Sequence, residues 1–376
     1  MIYLAHYNNH VFRLLLVVLA AFLSFLSGCG DNQPTSSKGS PTSSVSQEKG
    51  PKSAASTAPS NSAASQSTKV ASGPAVSLKL TKFKVPMPAE PTSPDIFVVG
   101  DDLKIYQKHG ILMDFVGVVP TPQYVAAVVS GHIDVSPGSH INRTIAGVSA
   151  GAKIKAVAGK TETSQRVPHM IGIVPKDSLI KTPADLVGKK VGIPTIGGCN
   201  EYTPYAWLNK FGVDNPKNKI EVLVLPEKNI QQVLRQGEID LAMTHKLPEE
   251  IDRQGEFRVV FSDFDVWGAD GGATPFYFAT KFIEEHPDLV RAFVAATAET
   301  LNWANQNPVG AREITARRTN TDFNYVNERY FTPNGLIRPE TAQVWIELLE
   351  LFGEIKPGLT IDQIYTNEFN PYYQVN

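Results

Sequence analysis

The sequence predicts an α/β fold of two lobes facing each other across a cleft, and three observations carry that prediction. The first is a duplication. Residues 124–136 read YVAAVVSGHIDVS, and residues 230–242, 106 positions further on, read IQQVLRQGEIDLA. Tyr124, Ala127 and Val128 fall opposite Ile230, Val233 and Leu234, one apolar stripe at helical spacing. Gly131 and Gly237 stand where each helix should end in a left-handed cap. Ile133-Asp134-Val135 and Ile239-Asp240-Leu241 then read as buried strands, so each copy is the αβ half of a parallel-sheet layer. The second observation is size. About 300 residues follow the amino-terminal region, more than one ordinary core holds. The third is the return of long amphipathic helices at 288–305 and 339–352, which pack back on the first lobe if the chain crosses between lobes twice.

The elements follow in order. VSLKLTKFKV alternates apolar and polar, so 77–85 is a strand, and the proline-rich loop 86–94 follows it. Phe97–Gly100 reads as a strand end and Asp101–His109 as a helix stopped by Gly110. Ile111–Val119 is a strand, Thr121-Pro122 caps the first duplicated helix, and Lys153–Ala158 is a strand. A first crossover is placed near 160–168. The second lobe opens with MIGIVP at 170–175; Thr182 to Asp185 starts a short helix closed by Gly188, and KKVGIP is a strand at 189–194. Thr195-Ile196-Gly197-Gly198-Cys199 leads to a helix capped by Thr203-Pro204 and ended by Gly212. Glu221–Leu225 is a strand, the second duplicated unit follows, and FRVVFS at 257–262 is the last strand before a crossover near 263–274.

The amino end is read as an address. Arg13 precedes an apolar run from Leu14 to Leu26, and thirteen residues at about 1.5 Å each cover about 20 Å, short of the ~30 Å hydrocarbon core. A positive flank, a short apolar stretch and small residues make a secretory signal. Leu26-Ser27-Gly28-Cys29 resembles the bacterial lipoprotein signal, in which the cysteine is lipidated and becomes the new amino terminus. From Gly30 to about Val76 the chain is mostly Ser, Thr, Ala, Pro, Gly and Lys, with no aromatic residue before Phe83, a composition that cannot bury enough apolar surface to order itself. As a coil its span is roughly 35–40 Å. The expected organisation is a signal over 1–28, a tether over 29–76, lobe 1 over 77–165, lobe 2 over 166–265 and the rest of lobe 1 over 266–376.

Charge and cysteine count narrow the function. The chain holds 35 basic and 37 acidic side chains, and removing residues 1–28 takes away only Arg13, leaving 34 against 37, a net charge of −3. That balance offers no footprint for nucleic acid. Cys29 and Cys199 are the two cysteines, so a lipidated Cys29 leaves Cys199 without a disulfide partner. GxxxxGKS and HExxH are absent from the sequence.

The succession GxIDV, DLVGKKVGIPTIGG, GxIDLA, HPDLVRAFVAATAETLNWANQNP and IYTNEF resembles the periplasmic substrate-binding proteins of ABC importers, in the group for nitrate, sulfonates, taurine and thiamine-type pyrimidines. The resemblance covers residues 77–376 and rests on the order and spacing of these stretches. It implies the type 2 periplasmic-binding-protein fold, two α/β lobes joined by two crossover strands, with an ABC permease as partner and a small anionic or heteroaromatic solute as ligand. It implies an extracytoplasmic location, which the lipoprotein-like signal makes lipid-anchored, with no cofactor and no covalent chemistry. The pyrimidine-forming enzymes among its relatives depend on a cysteine-rich motif, whereas this chain has one cysteine in its domain. The same fold also serves ligand sensors that feed a signalling receptor, and that alternative stays open. The loop 85–94, proline-rich here, sits where the family's first ligand-contacting segment lies, so the substrate class does not carry over from any one relative.

Candidate contacts follow from strand ends, because ligands of open α/β sheets sit outside the carboxyl ends of the strands. Thr195, Gly197 and Gly198 form a strand-to-helix turn whose glycines let backbone approach a ligand and whose free amides favour an anion. Ser136, Gly138, Ser139 and His140 leave the first duplicated strand, and Thr244 and His245 leave the second. Their alternative is local: Ser139 could simply cap the helix 140–149. Thr163, with Thr161 and Gln165, lies on the first crossover, within reach of both lobes. Tyr202 and Trp267 are aromatic residues at the cleft edge, where stacking on a flat ligand competes with core packing. Arg143 pairs with an anion or bridges the lobes, and Asp134 and Asp240 are expected to fix the turn after each duplicated helix. His140, His245 and Cys199 are near the cleft, but none shares a close ligand pair such as CxxC or HxxxH, so no metal is expected and Cys199 reads as a small buried side chain.

Overall fold

The computed structural model describes residues 80–374, which fall in the unit Gly73–Asn376. The signal over 1–28, Cys29 and the tether over 29–76 lie outside the described residues. Strand β1 (Thr81–Val85) is followed by the loop 86–95 and helix α1 (Ile96–Asp102). Here the sequence suggested a strand end. The helix wins because Asp95, directly after Pro94, accepts the Val98 N–H at 3.0 Å and caps the segment. Lys104, left-handed at φ 59°, then separates α1 from α2 (Ile105–Lys108), so one expected helix is two. Strand β2 (Ile111–Phe115) pairs parallel with β1. Helix α3 (Tyr124–Val129) is entered through a 3-10 turn over Thr121–Gln123. Pro120 holds the cap position and Thr121 makes no capping bond, so the expected threonine cap does not form. Helix α4 (Ile141–Ser149) and strand β3 (Ile154–Gly159) complete this part.

The second lobe runs β4 (Ile171–Pro175), β5 (Lys190–Ile193), α5 (Cys199–Lys210), β6 (Glu221–Val224), α6 (Glu227–Arg235), β7 (Leu241–Thr244), α7 (Pro248–Gln254) and β8 (Phe257–Ser262). Helix α5 starts four residues before the expected cap. Gly198 is its N-cap, and Thr203, inside the helix, turns its hydroxyl to the Cys199 carbonyl at 2.6 Å. The glycine turn therefore runs straight into the helix start. Helix α8 (Asp263–Trp267), β9 (Pro275–Ala279), α9 (Thr280–Glu285), α10 (Pro287–Gln306), α11 (Pro308–Thr319), α12 (Pro339–Leu351) and α13 (Ile361–Ile364) close the chain. Among the described residues no helix is long and apolar enough to cross a membrane.

The second sheet has the order β6-β5-β7-β4-β8. Strands β5, β6 and β7 are mutually parallel and β4 runs antiparallel to β7 and β8, so the sheet is mixed rather than the parallel layer expected. The first lobe repeats that order with a weaker central rung. Residues 134–136 form no full strand; they carry one bridge, Val135 to Phe278, and Ser136 N–H donates to the Tyr277 carbonyl at 3.0 Å. On the other side Asp134 N–H donates to the Lys84 carbonyl, and Lys84 N–H donates to the Asp134 carboxylate at 2.7 Å. Asp240 and Lys190 make the same pair of bonds, the second at 2.8 Å. The duplication is thus structural down to these two carboxylates, which lock their turns to β1 and β5. Gly131 and Gly237, at φ 71° and 73°, adopt the left-handed turn that ends each helix.

Packing explains where the late helices go. Helix α10 buries Val290, Phe293, Val294 and Leu301 in the first lobe's core with Phe83, Phe97 and Phe278. The Phe83 and Phe293 rings stack at 5.3 Å between centroids. Helix α12 differs from the expectation that both would cover the first lobe. It places Ala342, Trp345, Ile346 and Leu349 in a core shared with Tyr202 and Leu208 of α5 and with Ile141 and Ile145 of α4. Its apolar face meets an aromatic partner there, so it bridges the two sheets.

Candidate functional site

Two crossovers run side by side between the sheets. Lys160 N–H donates to the Thr274 carbonyl, Thr274 N–H donates to the Thr161 carbonyl, and the Thr161 hydroxyl donates to the Gly272 carbonyl at 2.9 Å. Above them lies a cavity of about 310 Å³, walled by the loop 86–95, the turn Gly138–His140, the turn at Thr195 and Gly198, and His245 after β7. That volume suits a small solute. The carboxyl ends of β5 and β7 open onto it, as strand-end logic requires.

Of the sequence-proposed residues, the structure brings Gly138, Ser139, His140, Thr195, Gly198 and His245 together on this cavity, with Thr161 from the crossover. Others point elsewhere. Ser136 is fully buried and its hydroxyl accepts the Tyr277 N–H at 2.9 Å, a bond within the sheet. Thr163 donates to Asp263 at 2.9 Å and joins the crossovers, while Gln165 is exposed. Thr244 donates to Glu227 at 3.1 Å. Gly197 and Tyr202 border a neighbouring groove. Trp267 packs on Trp345 with ring centroids 4.8 Å apart.

Arg143 bridges the lobes. It lines the cavity, and its Nη2 donates to the Ile196 carbonyl at 2.6 Å, clasping the glycine turn from the opposite lobe. Asn142 does the same one residue earlier, donating to the Gly197 carbonyl at 3.0 Å. With its Nδ2 so committed, Asn142 presents Oδ1 to His140 Nδ1 at 3.0 Å, so Nδ1 carries the proton. His140 Nε2 is then a bare acceptor, buried and without a partner. Burial, with Arg143 and His245 adding to it, pulls this imidazole down to about 3, so it is neutral.

Residues the sequence did not single out supply most of the charge. Lys160, Arg329 and Asp95 all line the cavity. Lys160 donates to the Pro137 carbonyl at 2.9 Å; burial lowers its pKa and Asp95 opposes that. Arg329 is 5% exposed, with Nη1 3.4 Å from the His245 carbonyl, and burial likewise lowers its pKa against the pull of Glu227. Lys160 borders a crossover already marked as polar, which is a usable signal. Arg329 lies in an irregular stretch between α11 and α12, and no local pattern marks it.

The cavity floor holds a cluster from three separate segments. One donor atom each from His169, Cys199 and His245 lies within 4.8 Å of the others. His245 Nδ1 meets Glu227 Oε2 at 2.6 Å, and Glu227 Oε1 accepts the His245 N–H at 2.6 Å. Burial alone would raise the Glu227 pKa, but its bonds and charge pairing with His245 bring it down to about 2. The expectation of no metal rested on local spacing, and here the ligand-type side chains converge only in three dimensions.

The family model described as NMT1/THI5 like matches residues 96–311, more than half of the chain. The chain belongs to the NMT1/THI5-like family. Among curated relatives it is similar to a candidate binding protein of Brucella abortus, 21% identical over 295 residues covering 73% of this chain and 86% of that one. Among solved structures it is similar to the periplasmic aliphatic sulphonate binding protein of Escherichia coli, with a TM-score of 0.60 at 18% identity over 77% of this chain and 98% of the other. The periplasmic nitrate-binding protein of Synechocystis PCC 6803 gives a TM-score of 0.60 at 14% identity over 77% and 87%. This NMT1/THI5-like protein has the periplasmic-binding-protein fold, as the resemblance implied. The fold also serves a desulfurization enzyme, with a TM-score of 0.54 at 14% identity over 77% and 97%, so function is argued from the cavity.

Asp263 ties the two crossovers of this NMT1/THI5-like chain and makes its stability pH-dependent. Its Oδ1 accepts from Thr163 and from Met170 N–H at 3.1 Å, while Oδ2 is buried without a partner. Burial raises its pKa to about 7 against those bonds. A raised carboxyl pKa contributes stability that is present below about 4, its unfolded value, and lost as pH rises through about 7. The depressed pKa of His140 works oppositely, contributing stability above about 6.5 that is lost as pH falls towards 3. Asp263→Asn isolates the first effect. Relative to wild type, the variant should gain stability between pH 4 and pH 8, by up to about 4 kcal/mol. Parallel melting curves for the two proteins across that range would refute it.

Proposed function

We propose that this protein is the extracytoplasmic solute-binding component of an ABC importer, capturing a small anion between its lobes and handing it to the permease without changing it chemically. The observation that carries the reading is the cavity's cationic wall. Arg143, Lys160 and Arg329 all reach one open cavity of about 310 Å³. The start of α5, whose first amides have no partner within the helix, faces the same space. The names of the sulphonate-binding and nitrate-binding structural relatives fit such a wall, and an oxyanion suits both the guanidinium groups and the helix start. Closure of the lobes about the paired crossovers is the mechanism, with ligand shifting the open–closed population. Leu26-Ser27-Gly28-Cys29 supports a lipid anchor at Cys29.

The test is a thermal-shift screen over sulfonates, nitrate, bicarbonate, aromatic carboxylates and pyrimidines, followed by calorimetry. An anion at 100 times its Kd adds about 2.7 kcal/mol of stability. Gly198→Val then probes the turn. Gly198 sits at φ −127°, which valine accepts, but a Cβ there lies 2.9 Å from Asn200 Oδ1 and 3.6 Å from Arg143 Nη2. The fold should persist while affinity falls more than about tenfold, roughly 1.4 kcal/mol. Unchanged affinity removes this turn from the site, and hits confined to neutral pyrimidines overturn the anionic reading.

A further inference from the structure

We propose that the cavity floor binds a divalent transition-metal ion of the zinc class through His169, Cys199 and His245, leaving one coordination position open to the solute cavity. The donor set is the first argument. Two imidazoles and one thiol are borderline-soft ligands, and with an open fourth position they match non-structural zinc sites. Their donor atoms lie within 4.8 Å of one another. A tetrahedral ion with bonds of about 2.0–2.3 Å holds its ligands about 3.3–3.8 Å apart, so a contraction of about 1 Å closes the site.

Two further observations point to an ion rather than to ordinary packing. His169 is 7% exposed and its Nδ1 is buried without a hydrogen-bond partner, an arrangement that costs stability unless something coordinates it. Burial, reinforced by Arg329, pulls its pKa well below the ordinary value, so the ring offers a lone pair. His245 donates Nδ1–H to the ionised Glu227, which fixes the tautomer and leaves Nε2 as the ring's lone-pair nitrogen. A carboxylate behind a ligating histidine is the usual support for a metal site.

Charge links the site to the solute. On binding, the thiol releases its proton to solvent and the thiolate bonds the dication, so the floor becomes one unit more positive. Arg143, Lys160 and Arg329 line the same cavity, and the donor atom of an anion held there can complete the coordination. Metal and anion should therefore strengthen each other's binding by the same factor. This deepens the proposed solute site, and the metal is tested alone so that either reading can fail by itself.

The experiment titrates full-length protein with Co²⁺ and with Zn²⁺ at neutral pH, without solute. One Co²⁺ per chain should bind with a thiolate-to-cobalt charge-transfer band, and Zn²⁺ should displace it. The band must survive Cys29→Ser, which leaves Cys199 as the one thiol of the chain. Cys199→Ser should abolish it, and His169→Asn or His245→Asn should weaken binding at least about a hundredfold. Glu227→Gln should keep the band and weaken affinity about 10- to 100-fold. His132→Asn, an exposed histidine elsewhere, should change nothing. Absence of the band in folded wild type, or its loss in Cys29→Ser with retention in Cys199→Ser, overturns the proposal. Anion binding that persists in chelator overturns only the coupling.

Discussion

Trp345→Ala is expected to lower the unfolding free energy by about 3–5 kcal/mol, the largest stability loss predicted for a single side chain here. Trp345 is fully buried on α12. Its ring meets His140 edge-on at 4.4 Å, Trp267 at 4.8 Å and Tyr202 at 6.1 Å, so it joins the first lobe's turn to the second lobe's helix. Truncation leaves a cavity that three rigid rings cannot all collapse into. Trp345→Phe should cost much less, because the indole Nε1–H is buried without an acceptor and its removal sacrifices no hydrogen bond. Urea denaturation separates the two. Equal midpoints for alanine and wild type would mean that α12 is not held by this contact.

Arg329→Met is expected to weaken binding of any anionic solute at least about a hundredfold, roughly 2.7 kcal/mol, while neutral heteroaromatic probes lose little. The charge is nearly sealed from solvent at the cavity wall, where a guanidinium–oxyanion bond is worth more than on the surface. Glu227 keeps its hydrogen bonds from Thr244, from His245 N–H and from the His245 ring, so the substitution does not leave its carboxylate without partners. Arg317→Met, which breaks a pair with Asp102 away from the cavity, is the control and should leave affinity unchanged. Calorimetry on both variants with the best anion of the screen decides the matter. A full-affinity Arg329→Met would place the anion against Arg143 and Lys160 alone.

The duplicated helix–glycine–strand unit, the two crossovers and the two sheets were legible in the chain because each depends on local pattern. Gly131 and Gly237 mark turns that demand φ > 0, and Asp134 and Asp240 recur at the same offset from Lys84 and Lys190. Boundaries were less legible where a single residue decides between elements. Asp95 turns an expected strand end into α1, and Gly198 starts α5 ahead of the Thr203-Pro204 that looked like its cap. Strand ends likewise located the loops of the cavity, and so Gly138, Ser139, His140, Thr195, Gly198 and His245 were named from sequence. What only the tertiary structure decided is which side chains share a space. Ser136, Thr163 and Thr244 sit at the same strand ends and crossover, yet their hydroxyls are taken up inside the fold by Tyr277 N–H, Asp263 and Glu227. Lys160 and Arg329 reach one wall from segments 169 positions apart (329 − 160), and His169, Cys199 and His245 reach one floor from three separate segments. Periodicity and turn chemistry act over a few residues and are written along the chain. Charge and ligand geometry act through space, across separations that sequence spacing does not encode.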